Sequence, residues 1–375
     1  MRRRDFIQAA AIGTGAALCP RLLYSQDSQL PATDMAIDSY RRPAEFYQKL
    51  EDGIIECLLC PRKCRVSDLE RGYCGVRENV SGEYYTLVYA RVCTANVDPI
   101  EKKPFFHFLP GTTAFSIATA GCNLNCKFCQ NWNISQFRPE DVPSFKLSPA
   151  VCAEYAGREK CGSIAYTYSE PTIFYEYMTD CARAGKNQGL RSVVVSAGFI
   201  EKEPLERLLI LVDAIKIDLK SFDDKYYQDI CHGRLNPVLD TLVRIKSSGK
   251  WLEIVYLMVP GLNDNKEELS SLCDWLVNNL GLDVPIHFTR FHPEYLLKNL
   301  PVTPLESLEQ AYKIAKDKGL HYVYLGNVVG HDAESTYCHS CGKRIIHRRG
   351  FQIAANLIEK GRCHYCQSSI PGIWS

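Results

Sequence analysis

Three cysteines, Cys122, Cys126 and Cys129, stand in the stretch A-G-C-N-L-N-C-K-F-C-Q-N-W between Ala120 and Trp132. Their spacing is C-x3-C-x2-C on one short loop, and thiolates are soft ligands that suit iron–sulfur clusters and zinc. With no fourth cysteine beside them, a [4Fe–4S] cluster held by these three keeps one iron open for a substrate or cofactor. Phe128 places an aromatic ring directly before the last cysteine.

Two further cysteine groups flank this loop. Cys57, Cys60, Cys64 and Cys74 are spaced C-x2-C-x3-C-x9-C, with Gly72 and Gly75 allowing tight turns. They are expected to enclose one metal, zinc or an auxiliary cluster, and free thiols or a transient disulfide are the alternative. Near the other end, Cys338 and Cys341 form one C-x2-C knuckle and Cys363 and Cys366 a second, 21 residues on. That arrangement signals a tetrahedral zinc ribbon, with rubredoxin-like iron the minor alternative. His339 and His364 lie inside the knuckles and are not expected to be ligands. The basic run Lys343–Arg349 reads as a solvated hairpin, because no aromatic-interleaved basic face accompanies it, and no nucleic-acid partner is expected.

The 375 residues allow two or three domains, and an α/β barrel alone can fill most of such a chain. A hydrophobic fraction of 46% suits a sizeable core, and a net charge of +1 makes no global case for nucleic acid or membrane. Eighteen cysteines, largely grouped, argue for metal before disulfides. At the start, Arg2-Arg3-Arg4-Asp5-Phe6-Ile7 precedes a short apolar run from Ala9 to Leu18. This resembles a twin-arginine export signal, too short to span a bilayer, so the expected location is periplasmic, with a cytoplasmic chain carrying an uncleaved basic N-terminus as the alternative. No transmembrane segment is expected in the mature chain.

The elements that must position these groups alternate. β-rich runs appear at 114–119, 163–168, 192–197, 214–219, 252–259 and 285–291. Amphipathic stretches such as Thr172–Lys186, Pro237–Ser247, Lys266–Asn279 and Leu305–Lys318 lie between them. Strands recurring with crossover helices predict a parallel sheet, here a partial (β/α)6 barrel open on one side. The expected layout is a signal and tether over 1–30, a cysteine-rich module and lead-in over 31–110, the barrel over 111–330, and a zinc-ribbon-like module over 331–375. Barrel chemistry sits at the C-terminal ends of strands. There the chain carries Glu170 in T-Y-S-E-P-T, Ser196 in S-A-G-F, Asp218 and Lys220 in D-L-K, the P-G-L-N segment from Pro260, and His292 in R-F-H-P. Lys102–His107 reads as an edge of the active-site mouth.

Together these segments resemble the radical S-adenosylmethionine (SAM) enzymes related to the pyruvate formate-lyase activating enzyme, and within them the radical SAM member of the AmmeMemoRadiSam system. The resemblance covers about residues 50–375 and rests on the three-cysteine loop, the N-terminal C-x2-C-P-x2-C, the strand-end motifs, Tyr324–His331 and the final Ile370–Trp374. It implies an oxidoreductase that uses a [4Fe–4S] cluster on Cys122, Cys126 and Cys129 to cleave SAM to a 5′-deoxyadenosyl radical, with the substrate unassigned. It also implies SAM contacts from Phe128, Glu170, Ser196, Asp218, Lys220 and His292. The activating enzymes carry Gly-Gly-Glu where this chain has Tyr168-Ser169-Glu170, so both glycines are missing. Implied partners are an electron donor such as a flavodoxin or ferredoxin, and either other AmmeMemoRadiSam proteins or a protein substrate. A glycyl-radical-enzyme activase is one alternative; a non-catalytic iron–sulfur electron carrier or sensor is another, although a carrier needs no open coordination site.

Overall fold

The structure, a computed structural model, describes residues 37–375. The twin-arginine-type segment and its tether therefore lie outside the described residues. Among the described residues, eight strands form the central sheet: β1 (Thr94–Pro99), β2 (Thr113–Ala118), β3 (Ser163–Tyr166), β4 (Arg191–Ser196), β5 (Ala214–Asp218), β6 (Trp251–Met258), β7 (Ile286–Arg290) and β8 (Val323–Gly326), hydrogen-bonded in sequence order. β2 to β8 are parallel neighbours, and β1 pairs antiparallel with β2. The crossovers carry α1 (Pro149–Arg158), α2 (Tyr175–Asn187), α3 (Lys202–Leu211), α4 (Leu235–Ser247), α5 (Lys266–Leu280) and α6 (Leu305–Asp317).

Local chemistry sets these boundaries. Ser148 caps α1 by accepting from the Val151 N–H, with Pro149 at the first helical position. Asn265 and Glu268 cap α5 reciprocally: the Asn265 side chain accepts from the Glu268 N–H, and its amide donates to the Glu268 carboxylate. Gly281 ends that helix at φ +82°. β3 and β5 bury nearly every residue, as strands covered on both faces must.

The α/β partial-barrel architecture matches the sequence reading and extends it at both edges. β8 adds a seventh parallel strand beyond the six runs. The sheet also starts earlier than residue 111, because β1 comes from the lead-in and covers the open edge of β2, whose backbone groups would otherwise be unpaired. Before β1, two three-stranded sheets build the N-terminal cysteine-rich module. It is fixed to α2 by a buried ion pair, Arg77–Glu176, at 2.6 Å.

Phe105 and Phe108 close the N-terminal end of the sheet, packed against Ala114, Ala165, Val193 and Ala214 at the strand starts. The segment Lys102–His107 thus divides. Lys102, Lys103 and Pro104 reach the central cleft, as expected for its edge, while His107 is fully buried at the opposite end. There its ring nitrogens meet the Pro371 carbonyl at 2.7 Å and the Tyr324 hydroxyl at 2.6 Å. The C-terminal module covers the same end: Arg348 donates to the Phe106 carbonyl and to Thr336, while Trp374 lies against His107. No helix among the described residues is long and apolar enough to cross a membrane.

Candidate active site

The three-cysteine loop follows β2, and its path is dictated from behind. Gly121 has φ +97°, and a Cβ there would sit 2.6 Å from Val76 Cγ1 and 2.8 Å from the Cys74 carbonyl, so only glycine fits. A π-helical turn, Tyr227–Cys231, supports the next residues: Asn125 and Lys127 donate their N–H groups to the carbonyls of Cys231 and Ile230 at 3.0 and 2.9 Å. The Asn123 amide reaches the Phe199 carbonyl at 2.7 Å, and the Asn131 amide the Tyr168 carbonyl at 2.9 Å. The Leu124 N–H points at Cys122 Sγ, 3.4 Å away.

This loop opens on the main cleft at the C-terminal ends of the strands, about 320 Å³ in volume, within the range of small-molecule sites. Cys122, Cys126, Cys129 and Phe128 line one side; Glu170, Lys216, Asp218 and Lys220 line the barrel side, with Val195, Val255 and Leu257 as apolar wall. The cleft therefore brings the three cysteines together with Phe128, Glu170, Asp218 and Lys220. Burial pushes the Cys122 thiol well up, with the Glu170 charge adding to it, and burial together with the Cys126 charge takes Cys129 to about 11. Such thiols stay protonated at neutral pH until a metal displaces the proton.

Glu170 caps the turn Pro171–Phe174 and is nearly saturated from within the chain. Its Oε1 accepts from the Thr172 N–H, the Thr172 hydroxyl and the Ser196 hydroxyl at 3.0, 2.8 and 2.7 Å; Oε2 accepts from the Ala197 N–H at 2.8 Å. Only Oε2 keeps a free lone pair. Two of the expected contact residues stand away from the cleft lining. Ser196 stands behind Glu170 rather than on the cleft wall, because its hydroxyl is taken by Glu170 and by the Gly198 N–H at 2.9 Å. His292 is exposed beyond β7 and is not among the residues that line the cleft.

Three charges form a linear array on and after β5. Lys216 and Lys220 both bond to Asp218, the latter at 3.1 Å. Burial alone would raise the Asp218 carboxyl, but the two ammonium groups overcome it and hold it at about 2. Burial lowers Lys216, whereas Asp218 and Cys126 keep Lys220 protonated against its own burial. Lys216 carries no role in the sequence reading, although a lysine inside the apolar strand A-I-K-I-D was a legible signal.

The same cleft carries a second charged cluster, around Tyr168. Tyr168 adopts φ +67°, a strained conformation for an aromatic residue. Its hydroxyl bonds to Asp98, its ring lies 4.1 Å below the Lys103 ammonium, and the Asn96 amide donates to it at 3.3 Å. Burial lowers Lys103 to about 8 even with Asp98 at 2.5 Å.

The remaining cysteine sets differ in spread. Among the described residues, the one group with three or more ligand atoms all within 4.8 Å is Cys338, Cys341, Cys363 and Cys366. Its sulfurs approach to 3.6 and 3.8 Å in cross pairs. Zn–S bonds of about 2.3 Å in a tetrahedron require about 3.8 Å between sulfurs, so this set fits a single ion. The cleft cysteines are spread wider than that, which suits a multi-iron group rather than one ion. The cleft residues thus fit a three-thiolate cluster and a polar, zwitterionic cofactor. Cys57, Cys60, Cys64 and Cys74 line a separate small cavity.

Comparison with known proteins is consistent with this geometry. The family model described as the radical SAM superfamily matches residues 116–276. An uncharacterized protein of Methanocaldococcus jannaschii is 45% identical over 331 residues, covering 88% of this chain and 98% of its own. The pyruvate formate-lyase-activating enzyme of Clostridium pasteurianum is 22% identical over 210 residues, 52% of this chain and 87% of its own. Among solved structures, a domain of the pyruvate-formate lyase-activating enzyme from Bacteroides vulgatus superposes with a TM-score of 0.40 at 20% identity, over 44% of this chain and 99% of its own.

Proposed function

This chain belongs to the radical SAM superfamily, and we propose that it cleaves SAM reductively and uses the resulting 5′-deoxyadenosyl radical to take a hydrogen atom from a substrate. The cofactors of the family are a [4Fe–4S] cluster and SAM; bound here, they supply the one-electron cleavage of the carbon–sulfur bond. The observation that carries this reading is one cleft lined by Cys122, Cys126 and Cys129 on one side and Glu170, Asp218 and Lys220 on the other.

The chain's own groups divide the remaining work. Cys122, Cys126 and Cys129 hold the cluster. Glu170 offers its free Oε2 lone pair to an ammonium group, and Ser196 keeps that carboxylate in place. Lys220, held cationic beside Asp218, suits a carboxylate or a ribose hydroxyl. Phe128, Val195, Val255 and Leu257 exclude water and stray hydrogen donors. The C-terminal cysteines hold zinc that braces the closed end of the barrel; an unchanged zinc content after Cys363→Ser with Cys366→Ser would rule this out.

The substrate belongs to an AmmeMemoRadiSam-type reaction on a small molecule or partner protein, with a flavodoxin or ferredoxin as electron donor. Similarity to proteins named as activating enzymes supports an activase acting on a protein as the second reading. A glycyl radical detected by electron paramagnetic resonance on a candidate partner protein, after incubation with the reduced enzyme and SAM, separates the activase from the first reading. The twin-arginine-type start supports export of a folded, cluster-loaded chain; a mature N-terminus still beginning at Met1 in the cytoplasmic fraction would refute it.

A further inference from the structure

We propose that Cys57, Cys60, Cys64 and Cys74 hold a second [4Fe–4S] cluster, placed to pass single electrons to the Cys122–Cys126–Cys129 site. Its relay half rests on the radical SAM reading; its metal half does not.

The four cysteines line one cavity with Arg77, Tyr84 and Asn123. A hairpin brings the first three together: the Cys57 N–H donates to the Cys64 carbonyl at 2.9 Å, and the Lys63 N–H to the Cys60 carbonyl at 3.2 Å. A turn from Gly72 to Gly75, closed by the Gly75 N–H on the Gly72 carbonyl at 2.9 Å, brings Cys74 to the same cavity. The Tyr73 N–H points at Cys64 Sγ from 3.4 Å, the same kind of contact that Leu124 makes with Cys122.

The spread of the sulfurs, rather than the room between them (about 20 Å³), separates this set from a preformed single-ion site. These sulfurs are not gathered within 4.8 Å of one another as the C-terminal four are. A tetrahedral ion requires about 3.8 Å between sulfurs, whereas a four-iron core holds its thiolates farther apart.

Orphaned donors argue for an anion. Tyr84 and Arg77 are each 1% exposed, and both the Tyr84 hydroxyl and Arg77 Nε lack a hydrogen-bond partner at proper geometry. The other Arg77 nitrogens are committed to the Glu45 carbonyl and the Glu176 carboxylate. The hydroxyl lies 3.0 Å from the point a Gly72 Cβ would occupy, and Cys64 Sγ lies 3.7 Å from that point. Leaving two such buried donors unpaired is costly, whereas a cluster with four thiolates carries negative charge and sulfide acceptors for both.

Position argues for the relay. Asn123, Thr172 and Ile173, next to Cys122 and near Glu170, form part of the cavity wall. The Cys74 carbonyl abuts Gly121, the residue before Cys122. Tyr73 borders both cysteine sets, its N–H on Cys64 Sγ and its hydroxyl within reach of the Cys122 and Cys126 charges; the Arg62 guanidinium stands 3.3 Å above its ring, and Arg62 Nε donates to the Asn123 carbonyl at 2.5 Å. A one-electron, low-potential donor protein would reduce the N-terminal cluster, which returns to its oxidised state by handing that electron to the cleft cluster. No bond forms or breaks in the transfer.

The test is iron, zinc and acid-labile sulfide per chain, with electron paramagnetic resonance of the reduced protein. The chain itself should hold about eight irons, and both Cys57→Ser/Cys60→Ser and Cys122→Ala/Cys126→Ala/Cys129→Ala about four. Added SAM should alter the signal of the first variant and not of the second. Zinc at the N-terminal set, or loss of all iron from the triple variant, overturns the proposal. If the double variant fails to fold, Tyr84→Phe decides: it should keep eight irons and shift only the SAM-insensitive signal, and an unshifted signal overturns the cavity assignment. For the relay, the ratio of flavodoxin-driven to dithionite-driven 5′-deoxyadenosine formation should fall at least tenfold in the double variant, and an unchanged ratio overturns it. No 5′-deoxyadenosine from the unaltered chain with either reductant would instead sink the radical SAM reading, leaving the iron counts to judge the second cluster.

Discussion

At the scale of single residues, the Asp218 array is the most sensitive part of the cleft. Asp218→Asn leaves Lys216 buried without its counter-charge, and removing one partner of such a pair costs about 3 kcal/mol. Denaturant unfolding should show that loss, and Asp218→Asn combined with Lys216→Met should recover most of it. Ser196 gives a different signature, because it acts through Glu170. Ser196→Ala removes one hydrogen bond to a charged group, worth roughly 1.5 kcal/mol, so the Kd for SAM should rise about tenfold with iron content unchanged. Equilibrium dialysis checks this, and unaltered SAM affinity would refute the positioning role. The cleft cysteines were legible because their chemistry is written in local spacing. The place of Ser196 behind Glu170 was not, because sequence order at a strand end does not say which polar group is already satisfied by a neighbour.

At the scale of elements, the three-cysteine loop keeps its shape through Gly121 and the turn Tyr227–Cys231. Gly121→Ala must move the Cys74 carbonyl and Val76 while holding a strained φ, at a cost of about 2 kcal/mol. The expected result is a lower unfolding midpoint together with reduced iron loading; full loading at unchanged stability would contradict this view of the loop. Strand alternation and helix caps made β2 to β7 readable in advance. β1 was hidden because T-A-N-V-D-P ends in proline and is half exposed, a pattern that resembles a loop until its pairing with β2 is known. The short run V-Y-L-G of β8 was hidden likewise, absorbed into a motif rather than read as a strand.

At the scale of the whole molecule, two ends of one barrel serve different needs. The open end carries the chemistry. The closed end stacks His107, His287 and Glu253 beneath the C-terminal module, where Glu253 accepts from the N–H groups of Phe106 and His107, from Trp251 and from His287. Burial lowers both histidines, His107 to about 4, so the folded chain refuses protons that the unfolded chain takes up below its ordinary value of 6.5. The unfolded state then binds more protons, and stability must fall as pH drops from about 6.5 towards 4. Glu253 is also held below its ordinary value, against its burial, by His287, so its contribution is lost on further acidification in the same direction. Thermal unfolding across that window should show a falling Tm, with a shallower slope in His287→Phe; a flat profile would contradict the assignment. The central claim meets its most direct test at the open end, in reduced, iron-reconstituted protein incubated with SAM. The unaltered chain should give 5′-deoxyadenosine and methionine in equal amounts, and a Cys126→Ala variant that keeps its circular dichroism should give none. Equal 5′-deoxyadenosine formation by that variant would contradict that claim.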